Sequence, residues 1–392
     1  MREIVIVKAL RTPIGTYKGS LKALSADELG AQVIKNLIEQ TGLPYDQIDE
    51  VIMGQVLTAG VGQNPARQAQ INAGISFTKP AHIINQVCGS GLRAIISAYQ
   101  SIILGDANII IAGGQENMSR APHSIFYRDD KILDETKLSD TMINDGLIDA
   151  FHNYHMGITA ENVAEKFNIS REQQDEFALK SQHKTKEAIE TGKFDDQLVS
   201  VIDKKGVVIL NKDEHPRPNL SIEDLKKLKT VFKEDGSVTP GNSSGINDGA
   251  AAVILTTKEI AKLKNLKILG KIISWSSVGV DPSIMGIGPI EAINQAVKKA
   301  NWNIHDVDLF EINEAFAAQS LAVIKELKID YEKVNVNGGA IALGHPIGAS
   351  GARIVVTLLH EMNRRNLKKG CASLCIGGGM GIAMCVERTD KN

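Results

Sequence analysis

This sequence of 392 residues lacks three features: disulfide-forming cysteines, a surplus of charge of one sign, and long apolar runs. The four cysteines, at 88, 371, 375 and 385, are too few for a disulfide framework, and no Cys-x-x-Cys pair suggests a zinc site, so we expect no metal and a reducing cytoplasm. Uninterrupted apolar stretches such as Ala250–Leu255 fall far short of the roughly 20 residues that span a bilayer, so no membrane association is expected.

The balance of charges excludes a further class of partner. Lys plus Arg number 44 against 46 Asp plus Glu, a net charge of −2, so nothing favours a nucleic-acid partner. The apolar run Ile4–Val7 is too short for a signal peptide and is predicted to be a strand. Aromatic residues make up only 4%, whereas glycine occurs 35 times, which indicates tight turns and close backbone contacts.

An internal repeat runs through the chain at an offset of about 260 residues. The SGLR sequence at 90–93 returns as SGAR at 350–353. Three further pairs follow in the same order: 48–52 with 307–311, 28–41 with 289–301, and 107–114 with 372–379. Chance similarity between Gly-rich turns is the alternative explanation. Because each half alternates strand and helix patterns and its strands are apolar throughout, the fold class is predicted to be α/β, built from two similar α-β-α units.

The two halves differ by one long insertion. In the second half an apolar run returns directly into the next strand, whereas in the first half the equivalent return at 244–253 comes only after residues 119–243. We therefore predict an N-terminal half of 1–118 plus 244–264, an inserted loop domain of 119–243 that carries binding function, and a C-terminal half of 265–392.

Cys88 is the first candidate for chemistry. It stands in the sequence VCGSG at 87–91, directly before a helical pattern, so its sulfur should lie near a helix N-terminus. Free backbone NH groups and the positive end of the helix dipole favour a thiolate, so a lowered pKa is expected. The alternative is a buried core cysteine.

His345 occupies the equivalent turn of the second half. The sequence GHPIG at 344–348 places this histidine three residues before Gly348, the position that corresponds to Cys88 in the repeat. The repeat should bring the thiol and the imidazole to facing helix N-termini, the minimum for an activated nucleophile. A structural histidine in a Gly-rich turn is the alternative.

Two further candidates follow strands of the second half. Cys375 precedes three glycines at a predicted strand end, a polar setting in which a thiol could serve as a base. Asn313 follows a predicted strand and opens a predicted helix, and on its own would be no more than a helix N-cap. Cys371 and Cys385 have no comparable setting and are predicted to belong to the core.

These motifs together resemble those of the thiolase family. The similarity rests on VCGSG at 87–91, NEAF at 313–316, GHPIG at 344–348 and CIGGGMG at 375–381, and HMG at 155–157 resembles the loop of the acetoacetyl-CoA-type members. The resemblance runs end to end and implies two duplicated α-β-α units stacked as a five-layered core with a long loop-domain insertion. It also implies acetyl-CoA C-acetyltransferase activity.

The roles of single residues are implied by the resemblance alone. Cys88 would take an acetyl group from one acetyl-CoA while His345 removes its proton, and Cys375 would deprotonate the second acetyl-CoA. One oxyanion would be held by His345 with a water on Asn313, and the other by the backbone NH groups of Cys88 and Gly377. Acetyl-CoA, acetoacetyl-CoA and CoA would be substrates and products, with no separate cofactor, and a homodimer or homotetramer is implied.

No phosphate-binding loop or dinucleotide fingerprint appears in the sequence, so the insertion is expected to bind most of CoA. By family position the CoA and substrate channel would be lined by Leu147, His155, Met156, Arg217, Phe232, Pro240, Ser244, Ala315 and Phe316. Arg217 could instead be a solvated loop charge.

Three other functions remain open. A degradative 3-ketoacyl-CoA thiolase of broader chain length shares the four active-site motifs, and Met156, as a wall at the acyl end, argues against it. A cysteine hydrolase would use Cys, His and Asn, but it leaves the second glycine-framed cysteine and the repeat unexplained. A catalytically inactive paralogue would not need all of these motifs intact.

Overall fold

The computed structural model describes residues 2–127 and 138–389. The first half opens with β1 (Ile4–Arg11), β2 (Gly15–Thr16), α1 (Ala26–Thr41), β3 (Glu50–Gly54), α2 (Pro65–Asn72), β4 (Ala81–Ile84), α3 (Ser90–Leu104) and β5 (Ile109–Asn117). The segment after β5 holds β6 (His123–Ser124), β7 (Ser139–Asp140), α4 (Thr141–Gly146), α5 (Met156–Phe167), α6 (Arg171–Glu190), β8 (Val201–Ile202), β9 (Val208–Leu210) and α7 (Ile222–Lys226). The first half then closes with β10 (Asn247–Thr257) and α8 (Lys258–Leu263).

The second half repeats this order without the long insertion. Its elements are β11 (Gly270–Gly279), α9 (Gly288–Lys299), β12 (Leu309–Ile312), α10 (Ala317–Leu327), α11 (Ala340–Leu343), α12 (Ile347–Arg364), β13 (Lys369–Ile376) and β14 (Met380–Glu387). Small parts of the predicted domains lie outside the described residues. These are positions 1 and 390–392 at the two ends of the chain, and residues 128–137 of the insertion.

The sheet shows the repeat directly. One half-sheet has the strand order β4-β3-β5-β10-β1 and the other β12-β13-β14-β11. In both, one strand (β3 or β12) pairs parallel with the central strand (β5 or β13), and the central strand pairs antiparallel with the return strand (β10 or β14). A short antiparallel contact between β1 and β11 joins the half-sheets, so that among the described residues ten strands form one continuous sheet. The predicted α/β duplication is confirmed.

Helices complete the five layers. α1 and α2 pack on the outer face of the first half-sheet, and α9 and α10 pack on the outer face of the second. α3 and α12 lie between the two half-sheets, where both halves share one apolar core. The helix that follows Cys88 and the helix that follows His345 are therefore neighbours at the centre of the molecule.

Equivalent side chains stabilise equivalent places in the two halves. Asp49 accepts hydrogen bonds from the backbone NH groups of Asn108 and Ile109, at 2.8 and 3.1 Å, where β5 begins. Asp308 accepts the NH groups of Lys368 and Lys369 at 2.9 and 2.8 Å, where β13 begins. The repeat thus extends to side-chain hydrogen bonds that fix the start of each central strand.

Glycines allow the two halves to approach closely at the central layer. A Cβ atom on Gly351 would lie 2.3 Å from the backbone nitrogen of Leu92, and one on Gly114 would lie 2.0 Å from the carbonyl oxygen of Gly348. Neither distance can be relieved by moving a flexible side chain, because the obstructing atoms belong to the backbone. Glycine at these positions lets α12 and its preceding turn sit against α3 and β5.

One stretch has the length and composition of a membrane span. The window Val87–Leu104 has a mean hydropathy of 1.3 over 18 residues, which the uninterrupted apolar runs of the sequence did not indicate. Half of it is buried in this structure, and Leu92, Ile95 and Ile96 are fully buried in the core between the half-sheets. Its position in the central layer explains its apolar composition.

Candidate active site

The turn that carries Cys88 is held by hydrogen bonds from its own side chains. Val87 has a φ of 44°, a left-handed conformation that is unfavourable for a β-branched residue. Asn85 Oδ1 accepts the Val87 NH at 2.9 Å. Ser90 Oγ accepts the Gln86 NH at 2.8 Å and donates to the Val87 carbonyl at 2.6 Å. These bonds hold the turn between β4 and α3 and so fix the direction of the Cys88 side chain.

The His345 ring is oriented by a serine at the position equivalent to Ser90. His345 Nδ1 lies 2.5 Å from Ser350 Oγ, and that hydroxyl donates to the Pro346 carbonyl at 2.9 Å. With that hydroxyl proton assigned to the Pro346 carbonyl, Nδ1 is the donor to Ser350, and the ring carries its proton there. Nε2 is therefore left as the basic nitrogen, 3.5 Å from Asn313 Nδ2.

Burial sets the protonation of both groups. It raises the pKa of the Cys88 thiol to about 11, against an opposing effect of the backbone NH groups of Gly377 and Cys88, which point to the sulfur. Burial also lowers the pKa of His345 to about 3, with a smaller contribution from Arg353. The predicted lowering of the Cys88 pKa is thus wrong, because removal from bulk water outweighs the helix terminus. The resting pair is a neutral thiol and a neutral imidazole.

Cys375 lies at the end of β13 in surroundings that differ from the prediction. Its side chain is fully buried in an apolar cluster that includes Met156, Met285 and Phe316, not in a polar strand end. Burial, and then the neighbouring Cys88, raise the pKa of this thiol. Cys375 is therefore protonated in the resting protein.

The other two cysteines form part of the outer core. Cys371 and Cys385 face each other across β13 and β14, and both are fully buried. This position agrees with the prediction that they are core residues.

Asn313 is not a helix N-cap. α10 begins only at Ala317, and Phe316 is its N-cap residue. The Asn313 side chain is instead fully buried beside His345, and its Oδ1 has no hydrogen-bond partner within residues 2–127 and 138–389. A buried polar side chain with free acceptor capacity next to an imidazole is typical of a functional position.

A cavity of about 450 Å³ opens onto these groups. Twelve of the fourteen predicted site residues line it: Cys88, Leu147, His155, Met156, Arg217, Phe232, Pro240, Ser244, Ala315, Phe316, His345 and Gly377. The two that do not line it, Cys375 and Asn313, lie buried behind its wall, in contact with the cluster around Met156 and with His345. The chemistry-bearing residues of both halves and the insertion thus meet at one place.

Sequence patterns missed several residues of the cavity wall. Tyr17, Met118, His215, Val231 and Met285 are among them. Met118 directly follows β5, just as Gly377 directly follows β13, the equivalent strand of the second half. The repeat could therefore have indicated Met118. Tyr17, His215 and Val231 lie on loops, and Met285 lies in the short 3₁₀ helix Pro282–Ile287. None of these segments has a pattern of its own, and only the tertiary fold brings them to the cavity.

Close contacts within the insertion fix the positions of His155 and Phe232 in the cavity wall. The His155 ring stacks on Phe232 with centroids 4.6 Å apart, and a Cβ on Gly157 would lie 2.3 Å from the Phe232 ring. His155 Nδ1 accepts the Gly157 NH at 3.0 Å, and burial lowers the pKa of His155, so the ring is neutral. Glycine in the HMG sequence is therefore needed for the wall of the cavity to close.

Arg217 lies on an anchored loop at the rim. Asp213 lies on the same loop, two residues before His215. Its buried carboxylate pairs with both terminal nitrogens of Arg11, at 2.7 and 2.9 Å. Arg217 itself is exposed and makes no ion pair among the described residues, and its backbone NH donates to Gln182 Oε1 at 2.8 Å. A fixed loop with an unpaired cation suits a polyanionic ligand.

Within the described ranges, no group of three or more His, Cys, Asp or Glu side chains could hold a metal ion.

Comparisons with known proteins agree with this geometry. Residues 4–259 match the family model "Thiolase, N-terminal domain", and residues 266–388 match "Thiolase, C-terminal domain". The acetyl-CoA acetyltransferase of Pseudomonas aeruginosa is 56% identical over 99% of this chain and 100% of that protein. The cytosolic acetyl-CoA acetyltransferase of mouse is 54% identical over 98% of each.

Solved structures show the same fold. The acetyl-CoA acetyltransferase of Bacillus anthracis superposes with a TM-score of 0.96 at 46% identity, over 99% of both chains. Human mitochondrial 3-ketoacyl-CoA thiolase in complex with CoA superposes with a TM-score of 0.95 at 42% identity, over 99% of this chain and 98% of that one. The two family models together span nearly the whole chain, and the chain belongs to the thiolase family.

Proposed function

We propose that the chain is an acetyl-CoA acetyltransferase, which condenses two acetyl-CoA into acetoacetyl-CoA and CoA through an acetyl group on Cys88. The observation that carries the proposal is the meeting of two thiols and one imidazole at a single cavity: Cys88 and His345 line it, and Cys375 lies directly behind. Relatives that are 53–56% identical over nearly their full length bear this name, which favours the biosynthetic over the degradative function.

Acylation begins from the neutral pair. As the Cys88 sulfur attacks the thioester carbonyl of the first acetyl-CoA, its proton moves to His345 Nε2, the nitrogen that the Ser350 contact leaves unprotonated. The bond between the acetyl carbon and the CoA sulfur breaks. Cys375, a protonated thiol close to Cys88, gives its proton to the departing CoA thiolate. Acetyl-Cys88, His345 imidazolium, Cys375 thiolate and free CoA result.

Condensation uses the thiolate left by the first step. Cys375 removes a proton from the methyl group of the second acetyl-CoA, and the carbanion attacks the acetyl carbon on Cys88. The carbon–sulfur bond to Cys88 breaks to give acetoacetyl-CoA. The Cys88 thiolate recovers its proton from the His345 imidazolium, so both thiols and the imidazole return to their starting states.

Each negative oxygen needs a donor. The NH groups of Gly377 and Cys88 point to the Cys88 sulfur, so after acylation they stand beside the carbonyl oxygen of the acetyl group. On the other side, His345 and Asn313 lie together beneath the cavity. Removal of one such donor typically costs about 10²–10³ in kcat.

The insertion supplies the remainder of the CoA channel in this proposal. The walls are mainly apolar or small side chains such as Leu147, Pro240 and Ser244, which suit the pantetheine arm. Arg217 at the rim offers a positive charge to the phosphates. CoA thioesters are then substrates and products, and the proposed chemistry uses no separate cofactor.

The direct test supplies acetoacetyl-CoA with free CoA and follows the appearance of acetyl-CoA. Cys88→Ala provides the inactive control, because it keeps the turn but removes the sulfur. Release of free acetate or acetoacetate in place of acetyl-CoA would contradict the proposal and support a cysteine hydrolase.

The acylation rate should change by no more than about twofold between pH 7 and 9. His345, with its pKa lowered to about 3, stays a free base throughout this range, and Cys88, with its pKa raised to about 11, stays a thiol. Single-turnover acetylation by acetyl-CoA, stopped with acid and analysed by mass spectrometry, measures the rate. A rise of tenfold or more between pH 7 and 9 would show that Cys88 reacts as a thiolate with an ordinary pKa of about 8.5 and would contradict the neutral-pair account.

Chain length should be limited by Met156. Its sulfur lies 3.4 Å from the position that a Cβ on Gly377 would occupy, so it stands at the acyl end of the cavity, with Met285 and Phe316 in the same cluster. Each added methylene must displace packed atoms at about 1–3 kcal/mol, and about 1.4 kcal/mol is a tenfold loss. Cleavage efficiency should fall steeply from 3-ketobutyryl-CoA to 3-ketohexanoyl-CoA and be negligible at 3-ketopalmitoyl-CoA.

Met156→Ala should recover part of the six-carbon activity. Val231→Ala is the matched control, since Val231 lines the same cavity but is 55% exposed, and it should affect both chain lengths equally. Equal efficiency of the parent protein on four-carbon and sixteen-carbon substrates would instead support the degradative function.

A homodimer or homotetramer in the cytoplasm is part of the proposal. β4 lies at the edge of the sheet, and three of its four side chains are only partly buried, so this edge is able to pair with a second copy. Relatives from mouse and rat carry the word cytosolic in their names. Light scattering that gives the monomer mass of 42.3 kDa at micromolar concentration would contradict the oligomer.

A further inference from the structure

A buried carboxylate connects the two catalytic turns and has no role in the steps above. Glu116 lies on β5 and is fully buried. Its Oε2 accepts the NH groups of Val56 at 3.0 Å and Gly348 at 2.8 Å, and its Oε1 accepts the NH of Leu57 at 3.2 Å. Among the described residues it makes no ion pair, so backbone NH groups alone compensate its charge.

One of these bonds caps the helix that follows His345. α12 begins at Ile347, and its N-cap residue, Pro346, makes no side-chain capping bond. The NH of Gly348, in the first turn, would therefore have no acceptor within the helix. Glu116 supplies that acceptor from the other half of the molecule, and its negative charge also suits the positive end of the helix.

The other two bonds reach the segment against which Cys88 packs. Val56 and Leu57 follow β3, and together with Ile347 they form the apolar cluster that contacts Cys88. One carboxylate thus joins the support of Cys88 in the first half to the turn of His345 in the second. The backbone around it is close-packed, since a Cβ on Gly348 would lie 2.6 Å from Glu116 Oε2.

We infer that Glu116 is a positioning residue, which sets the distance and orientation between the Cys88 thiol and the His345 imidazole during acyl transfer. The inference rests on the proposed acetyltransferase function. Burial raises the pKa of Glu116 to about 7 against the opposing effect of the three NH donors, so the bonded carboxylate is the form present above about pH 7.

Glutamine at this position would break the arrangement without changing its volume. Its single carbonyl oxygen can replace only one carboxylate oxygen, and its NH₂ group would face either the Leu57 NH or the Val56 and Gly348 NH groups, donor against donor. Loss of the negative charge would by itself favour the Cys88 thiolate, because the Glu116 charge raises the pKa of that thiol. A slower reaction would therefore report altered geometry and not altered charge.

The test measures exchange of labelled CoA into acetyl-CoA, which requires only acyl transfer to and from Cys88. Glu116→Gln should lower kcat about 100-fold, the usual effect of an angstrom-scale misplacement of reacting groups, with KM for acetyl-CoA within about twofold because the insertion binds CoA. Asp308→Asn is the matched control: it alters another carboxylate that accepts two backbone NH groups, at the opposite end of the second half-sheet, and should leave both constants unchanged.

Two outcomes would overturn the inference: a kcat within threefold of the parent, or a fall in kcat no larger than the loss of folded protein that circular dichroism measures on the same preparation. If Glu116→Gln does not fold, Glu116→Asp keeps the charge but withdraws it by one methylene, and the same fall in kcat at constant KM is expected. Parental kcat in Glu116→Asp would then count against the role. The parent protein is measured first, and failure of the parent to exchange CoA would instead contradict the acetyltransferase function itself.

Discussion

Cys375→Ser is expected to reduce carbon–carbon bond formation by about 10²–10⁴-fold, the usual contribution of a positioned general base, while acetyl exchange stays within about tenfold of the parent. A serine hydroxyl is far too weak an acid to be left as an anion that could deprotonate the second acetyl-CoA. The first step depends less on this residue, because CoA is itself a thiol and leaves readily as a thiolate. Exchange of labelled CoA and formation of acetoacetyl-CoA, assayed on the same preparation, measure the two steps separately.

Cys371→Ala is the control for this experiment. Cys371 lies on the same strand, four residues earlier, but its side chain belongs to the outer core. Its replacement should leave the ratio of the two activities unchanged. If exchange and condensation fall equally in Cys375→Ser, the base assignment is wrong and Cys375 serves the first step or the structure.

His345→Ala is expected to slow both half-reactions by about 10²–10⁴-fold. Without the imidazole, Cys88 must react as the thiolate, and a thiol whose pKa is raised to about 11 is only about one part in 10,000 ionised at pH 7. The residual rate should therefore increase about 100-fold from pH 7 to pH 9, whereas the parent rate stays flat. Rapid-quench acetylation across this pH range measures both slopes.

His305→Ala is the matched histidine control, since His305 lies in an exposed turn remote from the cavity. It should have the parental rate and the parental pH profile. A His345→Ala protein whose rate is also flat with pH would contradict the assignment of His345 as the base for Cys88.

Local patterns were enough to single out Cys88 and His345, because the repeat places their two turns at equivalent positions, whereas the channel residues came from the family resemblance. Ser90 and Ser350 are equivalent in the sequence, and in the structure each hydroxyl holds the turn that carries Cys88 or His345. Glycines in these turns permit the close approach of α3 and α12. Periodicity and turn chemistry act over a few residues, and for this reason they are visible in the sequence.

Properties that depend on surroundings could not be predicted in this way. The pKa of Cys88 depends on how much water the assembled core excludes, and this effect exceeds the local one of a helix terminus. Cys375 has a glycine-rich sequence context, yet Met156 and Phe316, distant in the chain, surround it with apolar atoms. Glu116 has no sequence signature at all, because its partners lie about 60 and 232 residues away.

The most direct test of the central claim is to mix the protein with acetyl-CoA alone, quench with acid within seconds, and map the peptides by mass spectrometry. The proposed mechanism predicts one added acetyl group on the peptide that contains Cys88, and its loss when free CoA is added before quenching. An acetyl group on Cys375 and none on Cys88, or a Cys88 peptide that stays unmodified while acetoacetyl-CoA is formed, would contradict it.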